Sequence, residues 1–423
     1  MININTLGNS LKRGILSFSQ KLSEGMSRPS QKFIASMIYG LISSRSCKLS
    51  EIGRALKEDI ALKKTVERLG RNLADFSESE AFMENYLKAI RPSIGKDTML
   101  LIDPSDVTKP CSPSMEAIGS VYDASRKQFG AGYWTLGVVA LTEDHSHPIP
   151  VYEKLYPCKE RGGDSKGERH TALEYLRERF DKDIPRIFDR GFDSGSLIHE
   201  LIENEERFII RQNQNRVAVH GGKRVKIDDI VRGLDCQHEL RYKGKSGERI
   251  SCKIGMTQIL VPNMNQIRLN MVVCKGVGDP LVLYTNLDET LESIAVRVVK
   301  AYLMRWRIDE YYALKKQEMQ FEDFRVRSLN AIRSLDLLLT AAIGYLAMLC
   351  SKVGTQMYVC DLISISKRIE RYSVFVKKRK FFFYAILDGI ANVLASLKRG
   401  ISHFFEAQQY PTQLTLTGID FLG

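Results

Sequence analysis

The chain predicts a mixed α/β fold with helical regions at both ends. Three observations carry that expectation. Residues 1 to 95 are helical in pattern with few β-branched runs, apolar strand-like runs alternate with amphipathic stretches from about 96, and helical periodicity resumes at 292 and lasts almost to the end. With 423 residues, 44% hydrophobic and 26% charged, the sequence can bury a large core and is globular. The expected division is a helical domain over 1–95, a central domain over 96–330 interrupted by a β-rich insertion at 212–280, and a helical region over 331–423.

In the first region, Ile52, Leu56, Ile60, Leu62, Val66 and Leu69 recur at helical spacing, and Ser50 is placed to cap the first segment. Two short helices with Lys63, Lys64, Arg68 and Arg71 on the second match a helix-turn-helix pattern; a packing module with a solvated basic face fits the same residues.

From 96 the elements alternate. Met99–Ile102 is a short apolar run suited to a strand buried on both faces, and 133–141 and 149–152 read as further strands. An amphipathic helix over 170–183 precedes a strand at 184–188, a helix at 194–204 and a strand at 207–211. The insertion holds β-type runs at 216–219, 249–254, 259–261 and 267–274, separated by Gly221-Gly222 and by Gly244–Gly247; 281–285 returns the chain to the sheet. Gly244-Lys245-Ser246 is no nucleotide-binding loop, because the glycine required five positions earlier is Glu239. Lys377–Lys380 followed by Phe381–Tyr384 reads as a basic helix start before a buried apolar segment, and the chain turns polar after about 407.

Lys and Arg outnumber Asp and Glu, 62 to 50, for a net charge of +12 and a pI near 9.2, which favours a polyanionic partner. The eight cysteines form no C-x-x-C pair and no zinc-type cluster, as expected of reduced thiols in a cytoplasmic protein. The N-terminus lacks a secretory cleavage pattern. The most apolar later stretch, 335–349, is shorter than the roughly 20 residues of a membrane span, so no membrane association is expected.

The chemistry is expected from carboxylates. Asp103 follows Met99–Ile102, Asp189 follows Ile187-Phe188, and Asp309-Glu310 lie in a helical pattern opening at Tyr302. Two aspartates at strand ends and a third carboxylate on a helix suit Mg²⁺, which takes a few hard oxygen ligands together with substrate phosphate oxygens. Each has a plainer reading: Asp103 as a turn cap, Asp189 as the N-cap of 194–204, Asp309 as a solvated helical acid. Asp106, Asp123 and Asp193 are rivals close by. On one continuous helix Tyr302, Arg305, Asp309 and Lys316 share an arc of about 60°, while Glu310 sits about 100° from Asp309. That face suits a metal and a phosphate together; an Arg305–Asp309 salt bridge is the plain alternative.

The segment YLMRWRIDEYYALKK resembles the Tyr-x2-Arg-x3-Glu-x6-Lys signature of cut-and-paste DDE transposases of the insertion-sequence-four type. LLIDPSDVTKP and IFDRGFDSGSL are similar to the strands carrying that family's two aspartates. FIIR ending at Arg211 and LVLYTNL at 281–287 are similar to further family segments. The gaps agree as well, 86 residues from Asp103 to Asp189 and 120 from there to Asp309. The resemblance covers about 95 to 330. It implies a ribonuclease-H-like core, with Asp103, Asp189 and Asp309 or Glu310 as catalytic metal ligands and Mg²⁺ as cofactor, Mn²⁺ substituting. Further, it implies cleavage at transposon ends and transfer of the freed 3′-hydroxyl into target DNA. It implies a homodimer pairing two double-stranded ends in a prokaryotic, nucleoid-associated setting, with Tyr302, Arg305, Lys316 and Arg211 gripping DNA. Where the signature has glutamate this chain has Asp309, the glutamate following as Glu310. Either carboxylate can serve, and a DNA-binding regulator without catalysis, or a nuclease that cuts without joining, are the alternatives.

Overall fold

A computed structural model describes the chain apart from residues 1–2, 96, 124–125, 142–147, 214, 244–248, 263–266, 277, 288–290, 352–355, 367–382, 403–404 and 406–423. The Gly244–Gly247 turn, most of the Lys377–Tyr384 cluster and the polar tail fall outside the described residues.

Five helices precede the sheet: α1 (Ile4–Leu22), α2 (Arg28–Ser44), α3 (Leu49–Leu56), α4 (Leu62–Ala74) and α5 (Ser79–Ile90). Two expectations here need correction. Lys48, not Ser50, occupies the N-cap of α3, without a side-chain cap, and Ile60 lies between helices at 50% exposure. Ile52, Leu56 and Leu69 are buried where α3 meets α4. On α4, Lys63, Lys64 and Arg71 face solvent, whereas Arg68 is held by Glu58 at 2.7 Å.

The central α/β region is one mixed sheet flanked by helices. Its strands are β1 (Met99–Thr108), β2 (Gly119–Asp123), β3 (Gln128–Leu141), β4 (Pro148–Tyr156), β5 (Arg186–Phe188), β6 (Phe208–Arg211), β7 (Val217–His220), β8 (Lys223–Lys226), β9 (His238–Lys243), β10 (Arg249–Leu260), β11 (Arg268–Lys275) and β12 (Leu281–Thr285). The order is β2-β3-β1-β5-β6-β12-β11-β10-β7-β8, with β4 on β3 and β9 on β10. β1, β5 and β6 run parallel, joined by crossovers that contain α6 (Ser165–Arg179) and α7 (Gly195–Glu203), as parallel pairing requires. The insertion is no separate layer: β10 and β11 are bonded through β12 to β6 and extend the same sheet. Gly221 and Gly222, at φ +57° and +78°, make the tight β7–β8 turn that a side chain would strain. A short helix α8 (Ile227–Gly233) follows.

After β12 come α9 (Leu291–Leu303), α10 (Trp306–Ala313), a π-turn over Leu314–Glu318, α11 (Leu329–Ser351), α12 (Gln356–Ile365) and α13 (Phe383–Ser396). The supposed helix from Tyr302 is thus interrupted, since Met304 and Arg305 donate to carbonyls three residues back and form a tight joint between α9 and α10. Leu335, Leu338, Leu339, Ile343 and Leu346 of α11 are wholly buried, each favouring the fold by about 1.5–3 kcal/mol. One side of α11 meets β4 and the others meet α2, α4 and α5, so the terminal regions share a single hydrophobic core with the sheet. The apolar stretch is longer than expected from 335–349. Leu329–Cys350 is long and apolar enough to cross a membrane, but 83% of its apolar window is buried within the fold, as in a core helix.

Candidate functional site

Strand register brings the first two aspartates together. In the parallel pair, Ile102 of β1 aligns with Phe188 of β5, so Asp103 and Asp189 come next on adjacent strands, whose spacing is about 4.8 Å. Phe188 aligns in turn with Ile210, which sets Arg211 at the same level beside Asp189. Asp189 lies just beyond β5, as expected. Asp103 does not end its strand: β1 runs on to Thr108 with β3 as partner, and Asp103 pairs with Gly137. Pro104 is tolerated there because β5 has stopped and β1 has become an edge on that side.

The α9–α10 joint lies over this row. Tyr302 Oη donates to Asp189 Oδ1 at 3.0 Å. Arg305 reaches Asp103 Oδ2 at 3.0 Å, Asp309 Oδ2 at 3.4 Å and Asp189 Oδ1 at 4.0 Å. Three carboxylates from three elements therefore face one guanidinium. Although the helix is interrupted, Tyr302, Arg305 and Asp309 still converge, because the joint keeps Arg305 right-handed helical.

Glu310 and Lys316 do not join them. Glu310 Oε2 accepts from Arg307 at 2.8 Å, on another side of α10. Lys316 is carried by the π-turn to Asp106 Oδ1 at 3.3 Å and Glu322 Oε1 at 3.8 Å, further along β1. Rival aspartates are engaged elsewhere, Asp106 with Lys316, Asp123 with Arg126 at 3.6 Å and Asp193 with Arg216 at 2.9 Å. Asp189 does not cap α7, which Ser194 does; it precedes the 3-10 turn Arg190–Phe192 without a side-chain cap bond.

The two strand aspartates are electrostatically unlike. Burial pushes Asp103 up to about 7, opposed by Arg305 and reinforced by Asp309 and Asp189. For Asp189 burial also works against the charge, but the Arg190 amide, Arg305, the Tyr302 hydroxyl and Arg211 outweigh it and hold the carboxyl below its usual range. Burial and the Asp189 charge push Tyr302 up to about 12, so it remains a donor at neutral pH. Neighbouring carboxyls driven in opposite directions can take different parts in proton and cation binding.

The donor set is all carboxylate, the chemistry that suits a hard divalent cation. In spacing, the carboxylates stand around the guanidinium. Among the described residues no three His, Cys, Asp or Glu side chains are grouped closely enough to hold an ion. Next to the π-turn, a cleft of about 540 Å³ is lined by Lys48, Lys109, Arg325 and Arg327, with Glu322 and Asp323 between them. Lys48 pairs with Asp323 at 2.7 Å, while Arg325 and Arg327 are exposed.

Several residues beneath the site have no spacing in the sequence that marks them. Tyr312 Oη donates to the Asp103 carbonyl at 2.7 Å, and Glu153, Lys315 and Asp336 form a buried ion cluster below it. Gly137 within an apolar strand run was the visible signal, since glycine there marks close approach of another group. No protein-family model matches the chain, and no curated protein matches it.

Proposed function

We propose that the chain is a DNA transposase which cuts at transposon ends and joins the freed 3′-hydroxyl to target DNA, on a ribonuclease-H-like core. The observation that carries this reading is the meeting of Asp103, Asp189 and Asp309 around Arg305. The geometry favours Asp309 over Glu310 as the third carboxylate, because Asp309 shares the guanidinium and Glu310 binds Arg307. Drawn closer together than they stand around Arg305, those three aspartates would hold Mg²⁺ or Mn²⁺, which when bound supplies charge neutralisation and alignment for in-line phosphoryl transfer. Arg305 keeps the carboxylates together and presents a planar fork to a phosphate. Tyr302 orients Asp189, and Arg211 adds positive charge beside it. Lys316 and the cleft bearing Arg325 and Arg327 extend a cationic path along β1 for the DNA backbone, in keeping with the net charge of +12. Two copies would pair two DNA ends.

The test is incubation of the full chain with DNA carrying the element's ends and Mg²⁺ or Mn²⁺, followed by strand transfer from precleaved ends. Nicking and joining are expected. Binding without nicking would overturn the enzymatic reading in favour of a regulator, and cutting without joining would overturn the transfer step.

A further inference from the structure

Tyr312 engages the backbone of Asp103, leaving the carboxylate to Arg305. Its hydroxyl donates to the Asp103 carbonyl at 2.7 Å. Asp103 and Gly137 are cross-strand partners, so a side chain of α10 enters the ladder at the rung that carries the first aspartate. The side chain is buried, 6% exposed, and its hydroxyl finds its partner in that carbonyl.

Gly137 leaves the space this requires. A Cβ there would lie 2.5 Å from Tyr312 Oη and 2.6 Å from Glu153 Oε2, closer than such contacts occur. Glycine within a strand costs stability by itself, and here the approach of Tyr312 accounts for it.

The support continues below. Glu153, aligned with Gly137 on β4, accepts from Tyr311 Oη at 3.0 Å and from Lys315 Nζ at 2.7 Å, and Lys315 also pairs with Asp336 of α11. Glu153, Lys315 and Asp336 side chains are between 1% and 3% exposed. Tyr312 follows Asp309 by three residues and shares its side of α10. A bond from Tyr312 to Asp103 therefore ties the helix bearing one carboxylate to the strand bearing another.

We infer that Tyr312, lodged against Gly137, is a positioning residue that sets the separation of Asp103 and Asp309 around Arg305. The inference rests on the transposase reading and adds two residues to it.

The experiment compares full-length wild type with Tyr312→Phe, Gly137→Ala and the double variant, reading thermal midpoint, DNA affinity, Mn²⁺ affinity without DNA, and kcat and KM for nicking. Tyr312→Phe is expected to melt within a few degrees of wild type and to bind DNA equally. Its Mn²⁺ affinity and kcat should fall about tenfold with KM unchanged, the scale of one lost hydrogen bond. Gly137→Ala should lose more. In the double variant the losses should be less than additive, because removing the hydroxyl vacates one of the two positions the new methyl strikes. Wild-type Mn²⁺ affinity and kcat in Tyr312→Phe, losses that only track its melting, or additive losses in the double variant would overturn the inference. Wild type that neither binds Mn²⁺ nor nicks would overturn the transposase reading itself, a result distinct from Tyr312→Phe nicking as well as wild type.

Discussion

Arg305 Nη1 lies 3.0 Å from Asp103 Oδ2, in a pair whose side chains are 18% and 16% exposed. The guanidinium is the counter-charge for Asp309 and Asp189 as well, and the three carboxylates hold it firmly protonated against the pull of burial. Arg305→Ala leaves a half-buried group of negative charges, which should cost about 1–3 kcal/mol in urea unfolding without divalent ions. Mg²⁺ should restore part of that loss. Because the same residue is assigned to a phosphate, the slope of log affinity against log salt for DNA should shrink by about one. A variant as stable as wild type, with an unchanged slope, would remove both roles.

Asp103→Asn and Asp189→Asn should each abolish nicking while DNA affinity stays near wild type. Each takes away a carboxylate assigned to the cation and no positive charge that meets phosphate. Gel-shift and nicking assays on the same preparations separate the two effects, and cleavage at wild-type rate in either variant would strip that aspartate of its assignment.

Asp309→Ala and Glu310→Ala should behave differently, although the residues are adjacent. Asp309 shares Arg305 with Asp103, so its loss should nearly abolish nicking, as the proposed role of third carboxylate requires. Glu310 instead pairs with Arg307, whose side chain is 7% exposed. Its loss should appear as a lower unfolding midpoint, with nicking per folded molecule largely kept. The opposite pattern would move the third position to Glu310.

Much of this arrangement was legible in the sequence, for identifiable reasons. Asp103 and Asp189 follow apolar runs that read as strands of one α/β sheet, where ligands gather beyond the strand ends, and the 3.6-residue period put Tyr302, Arg305 and Asp309 on one side. What was not legible depends on backbone irregularity. The period carries Lys316 onto the same arc, but the π-turn over Leu314–Glu318 redirects it to Asp106 and sends Lys315 inward to Glu153. β1 outlasts β5, so Asp103 sits within a strand, because β3 continues to pair with it. The buried cluster of Lys315, Glu153 and Asp336 was hidden because its members are spread over the π-turn, β4 and α11, where each looks like an ordinary surface charge.

That cluster leads to a dependence on pH. Burial pushes Asp336 up to about 7, opposed by Lys315 and reinforced by Glu153, while Lys315 stays cationic between the two carboxylates. An unfolded aspartate titrates near 3.9, so between about 4 and 7 the folded chain binds more protons than the unfolded one at this site. The contribution of Asp336 is therefore fully present below the unfolded value and is lost as pH rises through about 7. The urea midpoint should fall from pH 5 to pH 8, and Asp336→Asn, which keeps the shape of the protonated acid, should flatten that fall. Lys315→Met should do the reverse. It leaves Glu153 and Asp336 buried without their cation, so it should cost about 3–5 kcal/mol near neutral pH and steepen the dependence. An Asp336→Asn slope equal to that of wild type would mean that Asp336 keeps its charge throughout, held by Lys315 alone.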